Sequence, residues 1–163
     1  MLTADAHAQL RVWLEEFPHE VVVECKQTQG GVGWGQMLSK PGAGCSPAQS
    51  RTAPWCMHTH PRACYERNGT YYGWPSGADY CTFLDQQGTE HLVCALEGIY
   101  RIRSTAASRR RWARLSEAEK DALEQRWDVP SDSAQRTPAR VLASLAPHLE
   151  GWVSVELRPY STT

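Results

Sequence analysis

Apolar residues return at three- and four-residue steps near the start of the chain. Leu10, Trp13, Leu14 and Phe17 share one side of a helix predicted over residues 5–16, with Thr3 or Asp5 as its cap and Pro18 as its stop. The pattern then changes: residues 20–25 are β-branched and bounded by Pro18 and the Gly30-Gly31 pair, which predicts a strand. Gly30, Gly31, Gly33 and Gly35 read as a mobile turn, and residues 40–50 as a Pro/Gly/Ser loop. A second strand is expected over 55–60, then an irregular tyrosine-rich loop over 62–73. Ser76 opens a helix that runs through Tyr80, Phe83 and Leu84. Residues 91–96 and 99–103 form a hairpin around Glu97-Gly98. The Ser116-Glu117-Ala118-Glu119 capping box starts a helix that reaches about Trp127. Another helix is expected over 138–149, and a closing strand over 152–157. Helices and strands alternate without a repeat, so the fold class is α/β in one domain.

Composition changes this picture little. With 163 residues, 41% hydrophobic and 21% charged, the chain suits one globular domain with a continuous core. A net charge of -1 gives no reason to expect nucleic acid or an anionic membrane as partner. No apolar run is long enough to span a bilayer, and Asp5, Arg11, Glu15 and Glu16 break up the first segment, which is unlike a signal peptide. A cytoplasmic location is therefore expected, with Cys25, Cys45, Cys56, Cys64, Cys81 and Cys94 as reduced thiols. Asn68-Gly69-Thr70 matches a glycosylation sequon but reads as a turn in such a protein. The run Arg109 to Arg114 reads as a solvated basic linker, with a docking patch for an acidic partner as the sharper alternative. His7, His91 and His148 are isolated and suggest no role.

The candidate chemistry lies in His58-Thr59-His60-Pro61 and, downstream, Pro75-Ser76-Gly77-Ala78-Asp79. Strand alternation puts His58 and His60 on one face, about 6.6 Å apart along the backbone, and bonds of about 2.0–2.1 Å let two such imidazoles share one zinc ion. Cys56 shares that face but lies about 13 Å from His60 along the strand, too far to be the third ligand. Ser76 and Asp79 stand one helical turn apart and share a helix face. The plain alternatives are half-exposed strand histidines and a serine N-cap followed by an acid in the first turn.

In this order, and each with its proline, the two segments resemble the signature of the JAMM (MPN+) zinc metallopeptidase family: an upstream glutamate, then His-Ser/Thr-His-Pro, then Ser-x-x-Asp. The resemblance spans roughly residues 4–103 and includes the first helix and the apolar strands on either side of the motif. It implies a single-domain, JAMM-like (cytidine-deaminase-like) mixed sheet flanked by helices. An inserted loop would lie at 62–73, and a helical insertion at 104–150 before the closing strand. The 61–75 segment is roughly twice as long as its counterpart in the family. The resemblance further implies that His58, His60 and Asp79 hold one Zn²⁺ and leave a position for water. Glu20 is then the general base, with Glu24 its rival on the same strand face, and Ser76 the hydrogen-bond donor to the oxyanion.

On the same resemblance, the activity is hydrolysis after the C-terminal glycine tail of a ubiquitin-like protein, by deconjugation or precursor processing. Partners are that ubiquitin-like protein or its conjugates, and E1- or E2-like proteins of its pathway. Tyr65, Tyr71, Tyr72 and Trp74 either wall a channel for the tail or pack the insertion onto the domain. Two rivals are a JAMM peptidase acting on a sulfur-carrier protein and a non-enzymatic MPN scaffold.

Overall fold

A computed structural model describes residues 1–39, 55–130 and 135–160. The described residues form one mixed sheet of six strands with six helices. In chain order these are α1 (Ala4–Glu16), β1 (Val22–Thr28), β2 (Gly31–Met37), β3 (Trp55–Thr59), α2 (Arg62–Asn68) and α3 (Gly77–Asp85). They continue as β4 (Glu90–Cys94), β5 (Gly98–Ser104), α4 (Ala106–Trp112), α5 (Glu117–Trp127), α6 (Pro138–Leu149) and β6 (Val153–Pro159). The strand order is β2-β1-β3-β4-β5-β6. β3 and β4 pair in parallel, joined by a crossover that carries α2 and α3, and the other neighbours are antiparallel.

Strand alternation divides the core between the two faces of the sheet. On one face Val23, Cys25, Met57, Leu92 and Cys94 meet Leu10, Trp13 and Leu14 of α1. On the other, Val93, Tyr100, Ile102 and Val153 meet residues of α3, α4, α5 and α6, including the fully buried Tyr80, Trp112 and Trp127. The five cysteines among the described residues are buried. Among the described residues, no helix is long and apolar enough to cross a membrane.

Several expected elements change on folding. The strand expected from Glu20 starts two residues later, leaving Glu20 in the segment that leads into β1. The glycines at 31, 33 and 35 do not make a turn: they lie in β2, paired with β1. At Gly35 a Cβ would meet the ends of the Glu24 and Lys26 side chains, and at Gly31 it would meet the Met1 carbonyl. Residues 40–50, expected as a loop, lie outside the described residues. The 62–73 loop begins as helix α2, which buries Cys64 and Tyr65 and ends on Gly69 in the left-handed region at φ 63°. The expected basic linker at 109–114 is largely helix α4: Thr105 and Ser108 cap it reciprocally and Trp112 anchors it in the core.

The inserted helices support the site from behind. The C-terminal end of α5 lies against the start of α3, where a Cβ on Gly77 would run into the Glu124 carbonyl. The Trp74 indole N–H donates to the Val129 carbonyl at 3.1 Å just beyond α5.

Candidate metal centre

The two motif histidines end the central strand. β3 pairs with β1 and β4 through His58, opposite Val22 on one side and Val93 on the other. His60, one residue past β3, continues the pairing by donating its backbone N–H to Cys94 O at 2.8 Å. The segment before β1 is tied to the same place, because Val21 N–H donates to Thr59 Oγ1 at 3.0 Å and Thr59 N–H to Val21 O at 3.0 Å. Those bonds bring Glu20 alongside His60. Across the crossover, Ser76 caps α3 and places Asp79 in the first turn. Asp79 Oδ2 accepts from Ser76 N–H at 2.7 Å and from Ser76 Oγ at 3.0 Å, which turns Oδ1 toward His58.

Two imidazoles and a carboxylate converge. His58 Nε2 lies 3.1 Å from His60 Nε2 and 3.2 Å from Asp79 Oδ1, and His60 Nε2 lies 3.6 Å from Asp79 Oδ2. Two ligands of a tetrahedral zinc with bonds of about 2.0–2.1 Å stand about 3.3–3.4 Å apart; the His58–His60 and His58–Asp79 Oδ1 separations fall within a few tenths of an ångström of that value, while His60 approaches the other Asp79 oxygen. Glu20 also belongs to the cluster: its carboxylate and the two imidazoles offer atoms all within 4.8 Å of one another. Its Oε1 is 3.7 Å from His60 Nε2. Asp79 approaches both rings, each through a different oxygen, and Glu20 approaches His60, so either carboxylate could complete a trio with the two imidazoles. Glu24 is turned elsewhere, with its carboxylate 3.7 Å from Lys26 Nζ and 3.3 Å from Gln36 N.

The outer nitrogen of each ring shows what the inner one offers. His60 Nδ1 lies 2.7 Å from Gly73 O, and a carbonyl only accepts, so Nδ1 carries a proton and, in the neutral ring, Nε2 presents a lone pair. His58 Nδ1 lies 2.6 Å from His91 Nε2, and His91 Nδ1 lies 3.4 Å from Cys56 Sγ. When His58 donates along this chain, its Nε2 also presents a lone pair. Two lone pairs and a carboxylate facing one point are relieved by a shared proton or a bound cation, and metal-ligating histidines characteristically donate their other ring N–H in this way. The donor set therefore fits a metal ion. His91 is not isolated, as its sequence position suggested, but is the partner of His58.

Electrostatics agree with that arrangement. Burial would push Asp79 up, but the charges of His58 and His60 and its hydrogen bonds hold it well below the usual carboxylate range. Burial opposes a charge on His58, yet the Asp79 carboxylate outweighs it and raises that imidazole. Burial and the charge of His58 lower His91 to about 3, so it stays neutral. Desolvation raises Glu20, partly offset by His58 and His60.

A cavity of about 500 Å³ opens beside the cluster, lined by Glu20, His60, Asp79, Ser76 and the 64–74 segment. Tyr65 and Trp74 are buried in its wall, Tyr72 stacks on Trp74 with ring centroids 5.6 Å apart, and Tyr71 is exposed. Tyr65, Tyr72 and Trp74 thus both pack the 62–74 segment and line the cavity, whereas Tyr71 does neither. A larger, mostly apolar cavity of about 840 Å³ lies between α6 and β6, but none of the converging groups reaches it.

No protein-family model matches the chain, and no solved structure matches it. A 67-residue stretch is 33% identical to uncharacterized protein 3R of frog virus 3 (isolate Goorha), covering 41% of this chain and 15% of that protein.

Proposed function

We propose that this chain is a zinc-dependent metallopeptidase of the JAMM type. It would hydrolyse the peptide or isopeptide bond after the C-terminal glycine tail of a ubiquitin-like protein. The observation that carries the reading is the convergence of His58 Nε2 and His60 Nε2 with the carboxylates of Asp79 and Glu20 at the edge of a cavity.

His58, His60 and Asp79 hold the ion. Bound Zn²⁺ supplies Lewis acidity, which lowers the pKa of water and polarises a carbonyl. Glu20 takes the proton from the attacking water and hands it to the leaving amine. Its raised pKa suits both transfers, because a carboxyl group whose pKa is shifted toward neutrality accepts a proton more readily and can still give it up. The Ser76 hydroxyl caps α3 and donates to Asp79 Oδ2 at 3.0 Å. To stabilise a developing oxyanion it turns off that oxygen, while the Ser76 backbone N–H continues to hold Asp79 in place. The cavity beside Glu20 admits an extended, small-residue chain end.

The test uses a ubiquitin-like protein joined to a lysine side chain or a fluorogenic amine. Glu20→Gln should keep one zinc per chain and lose cleavage, and Glu24→Gln should keep both. His58→Ala should lose the metal. An active Glu20→Gln overturns the assignment of the base, and wild-type protein that takes up no zinc overturns the whole reading.

A further inference from the structure

Glu97 lies in the β4–β5 turn, where the sequence suggests only a hairpin reversal. The reversal does not need its side chain, because Ala95 N–H donates to Gly98 O at 2.9 Å and closes the turn through the backbone. The carboxylate instead reaches out of the hairpin toward the segment that lines the cavity. Its Oε1 accepts from the Gly73 backbone N–H at 2.7 Å and from the Tyr100 hydroxyl at 2.7 Å, and its Oε2 accepts from the Tyr65 hydroxyl at 2.7 Å. Tyr65 in turn accepts from the Leu96 N–H at 3.3 Å. Both phenols are buried, which fixes the carboxylate from two sides.

Gly73 is thus held at both ends. Glu97 takes its N–H, and its carbonyl accepts from His60 Nδ1 at 2.7 Å. The residue must be glycine, since a Cβ there would strike the Tyr65 hydroxyl. His60 lacks the imidazole partner that His58 has in His91, so the Gly73 carbonyl sets both its ring orientation and which nitrogen faces the site.

We propose that Glu97 is a positioning residue for His60: by pinning Gly73 it fixes the carbonyl that keeps the His60 proton on Nδ1 and points Nε2 at the metal position. The link to metal affinity rests on the function proposed above. The link to His60 does not. Groups that orient a ligating histidine typically matter by about 10- to 100-fold in metal affinity.

The experiment compares wild type, Glu97→Ala and Glu97→Gln by zinc competition against a chromophoric chelator. It also follows the imidazole N–H signals of the metal-free proteins by NMR. Glu97→Ala should weaken zinc binding by about tenfold or more and expose the His60 Nδ1–H to fast solvent exchange, leaving the His58–His91 proton in place. Glu97→Gln keeps an oxygen for the Gly73 N–H and should restore both readouts to within about threefold of wild type. Trp74, bonded to Val129, continues to hold the segment in either variant. If Glu97→Ala fails to fold, Glu97→Asp, too short to reach Gly73, takes its place in the comparison. A side chain that serves only the hairpin would lower the melting temperature and leave zinc affinity and the His60 proton unchanged, and that result overturns the proposal. Should wild type bind no zinc, the metal reading fails, and the His60 proton alone then decides for or against the role of Glu97.

Discussion

Replacing Asp79 by asparagine separates the two ligand trios that the site offers, His58/His60/Asp79 and Glu20/His58/His60. Asparagine keeps a side-chain oxygen for the Ser76 N–H, so the helix cap survives. What goes is the negative charge in the first turn of α3, worth about 0.3–1 kcal/mol at a helix start, together with its attraction for the buried His58. In a domain of this size the helix-start part lowers the melting temperature of the metal-free protein by about 1–4 °C, and loss of the His58 contact lowers it further. The effect on zinc should be far larger. Groups that merely orient a ligand account for up to about 100-fold in affinity, so a direct ligand 3.2 Å from His58 Nε2 should account for more. Zinc at about 100 times its wild-type dissociation constant stabilises the fold by about 2.7 kcal/mol, which raises the melting temperature by about 5–11 °C. With affinity reduced at least 100-fold, the same zinc concentration adds at most about 0.4 kcal/mol, a shift of about 1–2 °C. Differential scanning fluorimetry with and without zinc reads both numbers, and Glu20→Gln serves as the control that keeps the full shift. An Asp79→Asn protein with the wild-type zinc shift, beside a Glu20→Gln protein without it, would make Glu20 the third ligand and refute the argument from distances.

Two further outcomes follow from the packing around the site. The folded-state pKa of His91 is about 3 against an ordinary 6.5, so between those values the unfolded chain binds the extra proton. Stability from this group is therefore complete above about pH 6.5 and is lost as the pH falls toward 3, by at most about 1.4 kcal/mol per pH unit. Residual exposure of the ring makes that slope an upper bound. Urea denaturation of metal-free protein across this range should show a flatter dependence in His91→Gln, and identical slopes would show that His91 is not held neutral. Gly77→Ala pushes a methyl group into the Glu124 carbonyl and should cost about 1–3 kcal/mol by the same measurement, with weaker zinc binding because α3 carries Asp79. Unchanged stability would mean that α3 and α5 can separate freely.

Much of the scaffold was legible where local signals agree. The helix expected over 138–149 has those limits in the structure, because Thr137 caps it, Pro138 opens it, and Val141, Leu145 and Leu149 fall on one buried face. The Ser116 capping box likewise fixed the start of α5. The shorter helices were hidden. α4 is capped by a Thr105–Ser108 pair rather than a Ser/Thr with Glu/Gln, and its arginines mask the buried Trp112. β2 was hidden by glycines that signal a turn locally but suit a strand packed against Glu24 and Lys26. The same division holds at the site. His58, His60, Ser76 and Asp79 carry their meaning in short spacings, and the structure brings all four together with Glu20. His91 and Glu97 do not, since only the parallel register that sets Cys56 opposite His91, and the reach of Glu97 to Gly73, reveal their partners.

The parallel β3–β4 pair has a consequence for how the protein is assembled. His58 and His60 close the outgoing strand, and Asp79 lies in the first turn of the helix that leads back to the returning one, so the proposed ligands come from opposite sides of a single crossover. A cation seated there would act as a clasp on that loop, and part of its binding energy would go into ordering chain rather than into bonds. Hydrogen exchange would then slow on metal uptake in the last residues of β3 and the first turns of α3. The α6–β6 half of the domain, which contributes no ligand, would exchange at its metal-free rate.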